Sequence, residues 1–348
     1  MKQFKLVTLL FLTLVLAFSC TKEVDPIEPL GDYEKGYFIT NEGPLNGSGT
    51  LTFVDEAGVA TQNVYKTVNN EDLGSVVQSM TVHGDLAYIV VNNSHKVLVA
   101  NRYTLKNVAT IEGSDINNPR NFVVVGNTGY ISNWGDAADA TDDYIAVVDL
   151  ATNAVTSKIA VGQGPEDMLV DGNKLYVNLQ GGWSQNNKVE VIDMGSNTVS
   201  SSLEVGDVPN AIVKDASGAI WVLCGGKPSF TGAETNGKLA KIVNNEVSIF
   251  DFGTATHPNH LTIDADKMYY SLNGKVYAML TTATELPTAE VTGLDGFHYS
   301  MKAKDGKLYT TDAGDYKSEG TLKVFDLLDN SLKTTITTGL IPGSVVFQ

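Results

Sequence analysis

After residue 35 the chain is a succession of short apolar runs broken by polar turns. The stretch Asp171–Asn210 shows the unit most plainly. Asp171-Gly172-Asn173 is a polar turn and Leu175-Tyr176-Val177 a short strand. Val189-Glu190-Val191-Ile192-Asp193 is a second strand closing on an acid, a third leads into Val205-Gly206, and Pro209-Asn210 opens the next unit. Runs this short, rich in Val, Ile and aromatics and bounded by Gly, Asn and Asp, predict strands rather than helices. An aromatic residue follows the turn at Tyr37, Tyr88, Tyr130, Tyr176, Trp221, Tyr269 and Tyr309, at spacings of 51, 42, 46, 45, 48 and 40 residues. A period in this range with several strands per unit predicts an all-β propeller.

Each unit reads as an innermost strand A followed by strands B, C and D moving outward. Strand A candidates are Ser79–Val82, Asn121–Val125, Met168–Val170, Ala211–Val213, Leu261–Ile263, Ser300–Ala303 and Ser344–Phe347. The first aromatic unit lacks a strand A, and the last strand A, at the end of the chain, lacks a B, C and D. A C-terminal strand completing the N-terminal blade pairs both open edges and closes a ring of seven blades.

Strand direction alternates within a blade, so A–B and C–D turns share one face and B–C and D–A loops share the other. The A–B turns are uniformly short. The B–C loops Asn41–Gly49, Asn133–Asp143, Gln180–Lys188, Cys224–Gly237 and Asp312–Gly320 are longer. Long variable loops on a rigid frame are where binding groups sit, which makes theirs the working face and the other the plain one. Trp134, Trp183, Phe230 and Tyr316 lie in these loops, where an aromatic either caps a blade or walls a site. The D–A loops should deliver Gln78, Asn118, Arg120, Glu166, Asn210, Asn259, His260, His298 and Tyr299 to the channel mouth. Such groups either cap strand ends or form a polar cup for a neutral ligand rich in amides or hydroxyls. In the second case Trp134 and Trp183 are the apolar walls, with Asn118, Arg120, Asn210 and Asn259 as polar partners.

The composition, 43% hydrophobic and 18% charged, is that of a soluble globular chain. The formal charge of −16 disfavours nucleic acid, because such a surface repels phosphate backbones. Two cysteines make no disulfide framework, and Cys224, at the end of a strand, reads as a packed small hydrophobe. His257 and His260 with His298 lack the third-ligand pattern of a metal centre, so no metal and no cofactor are expected. No Gly-x-Ser-x-Gly elbow or Gly-rich phosphate loop appears, and paired acids such as Asp142-Asp143 fit solvated loops or a calcium contact. The chain reads as a non-enzyme.

Lys2 and Lys5 precede an apolar run from Leu6 to Phe18, closed by Ser19-Cys20. This resembles a bacterial lipoprotein signal, which implies a leader over residues 1–19 and a lipidated Cys20. Thr21-Lys22-Glu23-Val24-Asp25 is similar to the segment that sends lipoproteins of Bacteroides-like bacteria to the outside of the outer membrane, and residues 20–34 read as a flexible tether before a propeller over 35–348. Gly-x-x-Pro, Asp-Gly-x-x-Leu-Tyr-Val and Val-x-Val-Ile-Asp resemble the YVTN (YncE-like) propeller repeat, with Val161–Val213 nearest the pattern. Phe38–Gly43, Val77–Met80, Ile89–His95 and Gly339–Gly343 resemble surface propeller lipoproteins that include the cobalamin-capturing BtuG type. That resemblance implies capture of cobalamin or another corrinoid, as ligand rather than cofactor, and hand-off to an outer-membrane TonB-dependent transporter. A protein-interaction propeller without a small ligand, and a propeller lactonase or lyase, are the alternatives.

Overall fold

The computed structural model describes residues 30–136 and 138–348. The leader, Cys20 and the tether as far as residue 29 lie outside the described residues. The chain forms seven antiparallel sheets arranged as blades. Blade 1 joins Pro342–Phe347 to Gly36–Asn41, Thr50–Asp55 and the two-residue Ala60–Thr61. Blade 2 is Val77–His83, Leu86–Val91, Lys96–Asn101 and Asn107–Glu112. Blade 3 is Pro119–Val125, Thr128–Asn133, Tyr144–Asp149 and Ala154–Ala160. Blade 4 is Pro165–Asp171, Lys174–Leu179, Lys188–Asp193 and Thr198–Glu204. Blade 5 is Pro209–Lys214, Ile220–Cys224, Lys238–Val243 and Glu246–Asp251. Blade 6 has three strands, Asn259–Asp264, Lys267–Leu272 and Lys275–Leu280, where the repeat predicts four. Blade 7 is Ser300–Lys304, Lys307–Asp312, Glu319–Asp326 and Ser331–Leu340.

The C-terminal strand pairs with Gly36–Asn41, so the ring closes as the orphan strands at the two ends predict. Closure removes two edges that would otherwise expose unpaired backbone groups.

Seven apolar clusters, one at each blade boundary, make up the core. The strand B aromatics fill them. Tyr88 stacks on Phe122 of the next blade at 4.5 Å, and Trp221 is fully buried. Such a ring pair is worth about 0.5–1.5 kcal/mol beyond its burial. The first unit corrects the sequence reading by one residue. Tyr176 pairs with Val191, two residues before the closing acid of strand C; the matching pair in blade 1 is Phe38 with Phe53. Because side chains alternate along a strand, Phe38 fills the boundary with blade 2, and Tyr37 points to the blade 7 side against Tyr309.

Residues 30–35, assigned by the sequence mostly to the tether, are fastened to the plain face. Tyr33 packs on Phe38 and Phe53 and donates its N–H to the Tyr103 carbonyl at 2.9 Å, and Gln348 Nε2 donates to the Tyr33 carbonyl at 2.7 Å. Among the described residues no helix is long and apolar enough to cross a membrane. Cys224 is buried, and burial pushes its thiol pKa well up, so it is inert as expected.

Candidate ligand-binding face

One device, repeated in five blades, builds the working face. Val76, Asn118, Gly164, Val208 and Ile341, each immediately before a strand A, have φ between +48° and +73°. The carbonyl of each accepts the N–H of the first residue after strand B of the same blade: Asn92, Trp134, Gln180, Gly225 and Glu42, at 2.8 to 3.2 Å. The D–A turn is thereby stitched to the B–C loop. β-Branched residues rarely hold such a φ, and each costs about 1–3 kcal/mol that the surrounding bonds must offset. In each of these blades, and in blade 6, the strand A register shifts over its first residues. A bulge re-aims a side chain. Gln78, Arg120, Glu166, Asn210 and His260 sit at these shifts, inside strand A rather than in the D–A loops assigned by the sequence.

Arg120 is the hub. Its Nε donates to both Glu166 carboxylate oxygens at 3.0 Å, and its Nη1 donates to Gln78 Oε1 at 2.7 Å. The guanidinium lies 4.2 Å over the Trp134 ring. Trp134 meets Trp183 edge-on at 6.2 Å, and Trp183 is 80% exposed. On the opposite side of the mouth, Tyr299 donates its hydroxyl to Glu42 Oε1 at 2.7 Å and packs edge-on against Tyr316, which meets Phe297 at 6.4 Å. The mouth is therefore a charged knot flanked by two aromatic walls.

Burial raises the carboxyl pKa of Glu166 against the pull of Arg120, and that of Glu42 against Tyr299 and Arg120. It raises Asp167 as well, although Asn121 Nδ2 donates to Asp167 Oδ1 at 2.9 Å and Lys302 is close. The Tyr299 phenol is pushed well up by burial and the neighbouring Glu42. Knot charges are thus engaged with one another, while Trp134 Nε1 and Asn210 Oδ1 are buried without a protein partner. Unpaired polar atoms beside exposed aromatics suit a ligand that brings its own donors and acceptors.

The other expected residues divide. Asn118 is occupied: its Nδ2 donates to the Gly135 carbonyl at 2.8 Å, and its backbone N–H donates to His95 Nδ1. Asn210 Nδ2 donates to the Pro258 carbonyl, and Asn259 is exposed, its Oδ1 accepting the His260 N–H. His260 Nε2 donates to the Tyr299 carbonyl at 3.0 Å and its Nδ1 lies 2.8 Å from Ser271 Oγ; burial holds its pKa down at about 4. It supports Tyr299 rather than reaching a ligand. His298 is buried near His260, Asp312 and Lys323, neither of its ring nitrogens has a protein hydrogen-bond partner, and burial lowers its pKa. His257 turns instead to Glu234 and the Gly225 carbonyl, so the two histidines of His257-Pro258-Asn259-His260 diverge. Among the described residues no three His, Cys, Asp or Glu side chains converge as a metal site.

The sequence reading missed Glu42 as a site residue. Its signal, first place after strand B where Trp134 also sits, emerges only once the blades are in register.

The family described as a domain of unknown function (DUF5074) matches residues 35–283. The chain belongs to it. A search of curated proteins finds no match. Among solved structures, the periplasmic gluconolactonase of Pseudomonas aeruginosa superposes with a TM-score of 0.64 at 10% identity, over 90% of this chain and 98% of that one. A Bacteroides fragilis protein named as a candidate 6-phosphogluconolactonase gives 0.64 at 12%, over 91% and 99%. Hydrazine synthase of Kuenenia stuttgartiensis gives 0.58 at 17%, over 86% and 94%. Likeness at such identities carries the propeller fold and leaves activity to the site itself.

Proposed function

We propose that this DUF5074 chain is a lipid-anchored capture protein on the outer membrane, facing the cell exterior. Its working face binds a neutral ligand rich in amide or hydroxyl groups, and cobalamin or a related corrinoid is the class to which the lipoprotein resemblance points. The ligand passes to an outer-membrane TonB-dependent transporter, and no chemistry is performed on it. One observation carries this reading. The Arg120 guanidinium is charge-paired with Glu166 and bonded to Gln78, and this knot is framed by aromatic walls, Trp134 with Trp183 and Tyr299 with Tyr316. A self-neutralised polar floor between aromatic sides favours a bulky neutral ligand over an ion.

Calorimetry of fragment 21–348, which retains every described residue, with cyanocobalamin tests it. Saturable heat and comigration of the red ligand are expected; neither appearing eliminates the corrinoid. A protein-interaction propeller draws support from Trp183 and Phe230, which are 80% and 87% exposed on the same face. Copurification with a transporter barrel, unchanged by the vitamin, would favour it. The lactonase alternative takes its support from the names of two structural neighbours, and turnover of a gluconolactone by the purified chain would establish it.

A further inference from the structure

Behind the Arg120 knot the strands A enclose a cavity of about 520 Å³. Its walls come from one residue further along each strand A: Ser79 beyond Gln78, Asn121 beyond Arg120, and Ser344 beyond Gly343. Lys302 and Lys304, both on strand A of blade 7, also line it, and no carboxylate does. In a chain of formal charge −16, two ammonium groups line this cavity, with Asp167 the acid beside Lys302.

The donors still free to act narrow the chemistry. Ser79 Oγ donates to the Arg120 carbonyl at 2.8 Å and Thr81 Oγ1 to the Phe122 carbonyl at 2.6 Å, while the Ser300 hydroxyl donates to Gly343. Those protons are committed. Among the described residues, Lys302 Nζ has no hydrogen bond or ion pair; Asp167 is the acid near it, itself bonded to Asn121. Lys304 reaches only the largely exposed Asp305 at 3.5 Å and the Phe347 ring at 5.3 Å. Lysine Nζ atoms suit a small oxyanion, giving it charge-assisted bonds, and both side chains are exposed to the channel solvent through which an anion would arrive.

We propose that the channel is a second binding site, separate from the aromatic-walled mouth, and that it takes a small oxyanion, a carboxylate or a phosphate, held by Lys302 and Lys304. The Arg120 knot separates it from the mouth, so the anion reaches it from the face that carries the A–B turns.

Titration of the full chain with inorganic phosphate, and separately with acetate, at constant ionic strength tests this and tells the two anion classes apart. Saturable binding of at least one is expected, weakened about tenfold or more in Lys302→Met, as loss of a charge-assisted bond implies. Lys174→Met, at the plain-face start of strand B in blade 4 and outside this cavity, should bind as the wild type does. Ser344→Asp places a carboxylate among the lysines; it should abolish anion binding and raise the melting temperature. Absence of saturable binding of either anion, or unchanged binding by Lys302→Met, overturns the proposal. So does a Ser344→Asp chain that still binds the anion.

Discussion

Two glycines of blade 4, at opposite ends of one strand, contrast the two faces. Gly172, in the A–B turn, has φ +58° and open space where a Cβ would go. Gly164, in the D–A turn, has φ +73°, and a Cβ there would strike the backbone of Gly181 and Gly182. On the plain face, A–B turns take backbone bonds from the C–D turns of their own blades, as Met194 N–H donates to the Asn173 carbonyl, and exposed carboxylates link neighbours, as Asp264 accepts the Asp305 and Gly306 N–H groups. On the working face the cross-blade link is more deeply buried and spans three blades: Arg120 of blade 3 ties blade 2 through Gln78 and blade 4 through Glu166. Binding sites need this second construction, because a ligand is gripped only by groups whose positions are held from several sides.

The strand common to both faces offers the strongest way to break the contrast. Pro342–Phe347 holds the working side through Ser344 N–H on Thr40 Oγ1 at 2.9 Å, and Gln348 beyond it holds the plain side through Tyr33. Truncation from Ile341 onward should abolish cooperative thermal unfolding; a truncated chain that melts like the intact one refutes closure as the source of cooperativity. Next, Arg120→Ala strands the largely buried Glu166 carboxylate and should cost about 3–5 kcal/mol in urea denaturation. Arg102→Ala on the plain face loses a bond to the Tyr103 hydroxyl and a contact over that ring, and should cost about 1 kcal/mol. Equal losses would erase the distinction between the buried three-blade bridge and the exposed links of the plain face.

The glycine pair measures the same difference through the backbone. Gly172→Ala should cost about 1 kcal/mol from φ alone, whereas Gly164→Ala adds backbone collision and should cost about 3 kcal/mol or more. Chemical denaturation of the two variants decides it.

Acid titration separates two buried groups on the working side. Asp143 accepts the Gly164 N–H at 2.8 Å, yet burial and Asp142 raise its carboxyl to about 6. A raised folded pKa means its contribution is fully present below the unfolded value near 4 and is lost as pH rises through 6, at most about 3 kcal/mol. His260, held at about 4, has the opposite sign: its contribution is present above the unfolded value near 6.5 and is lost as pH falls toward 4. Asp143→Asn should therefore make stability at pH 7 higher relative to pH 4 than in the wild type, and His260→Gln should make it lower. Melting curves at both pH values check this. The smallest effect on stability should come from Trp183→Ala, since the ring is mostly exposed; it should leave the melting temperature unchanged while weakening ligand capture about tenfold. A fall in both would mean that Trp183 caps the blade rather than walling a site.

The blade count, the identity of strands A, B and C, the closure and the division into faces were legible in the sequence, because each rests on local patterning: turn residues, a period-2 strand and a repeat length. Blade 6 shows the limit. Residues 281–299 carry no strand beyond Leu280, and nothing in the spacing of Tyr269 and Tyr309 signals the missing edge. Tyr37 shows another, since an aromatic one place from Phe38 satisfies the same pattern, and only cross-strand register tells which face it takes.

The polar ring was expected as a set; the structure joins Gln78, Arg120 and Glu166 in one cluster and sets His260 behind Tyr299. Which of them pair was beyond reach, because Arg120, Glu166, Gln78, Glu42 and Tyr299 come from five separate blades. Sequence by itself determined the propeller, since a blade is specified by contacts between neighbours in the chain. The Arg120 knot, the diverging histidines and the lysine-lined cavity were decided by the tertiary structure, because closing a seven-membered ring brings together strand ends that no local period relates.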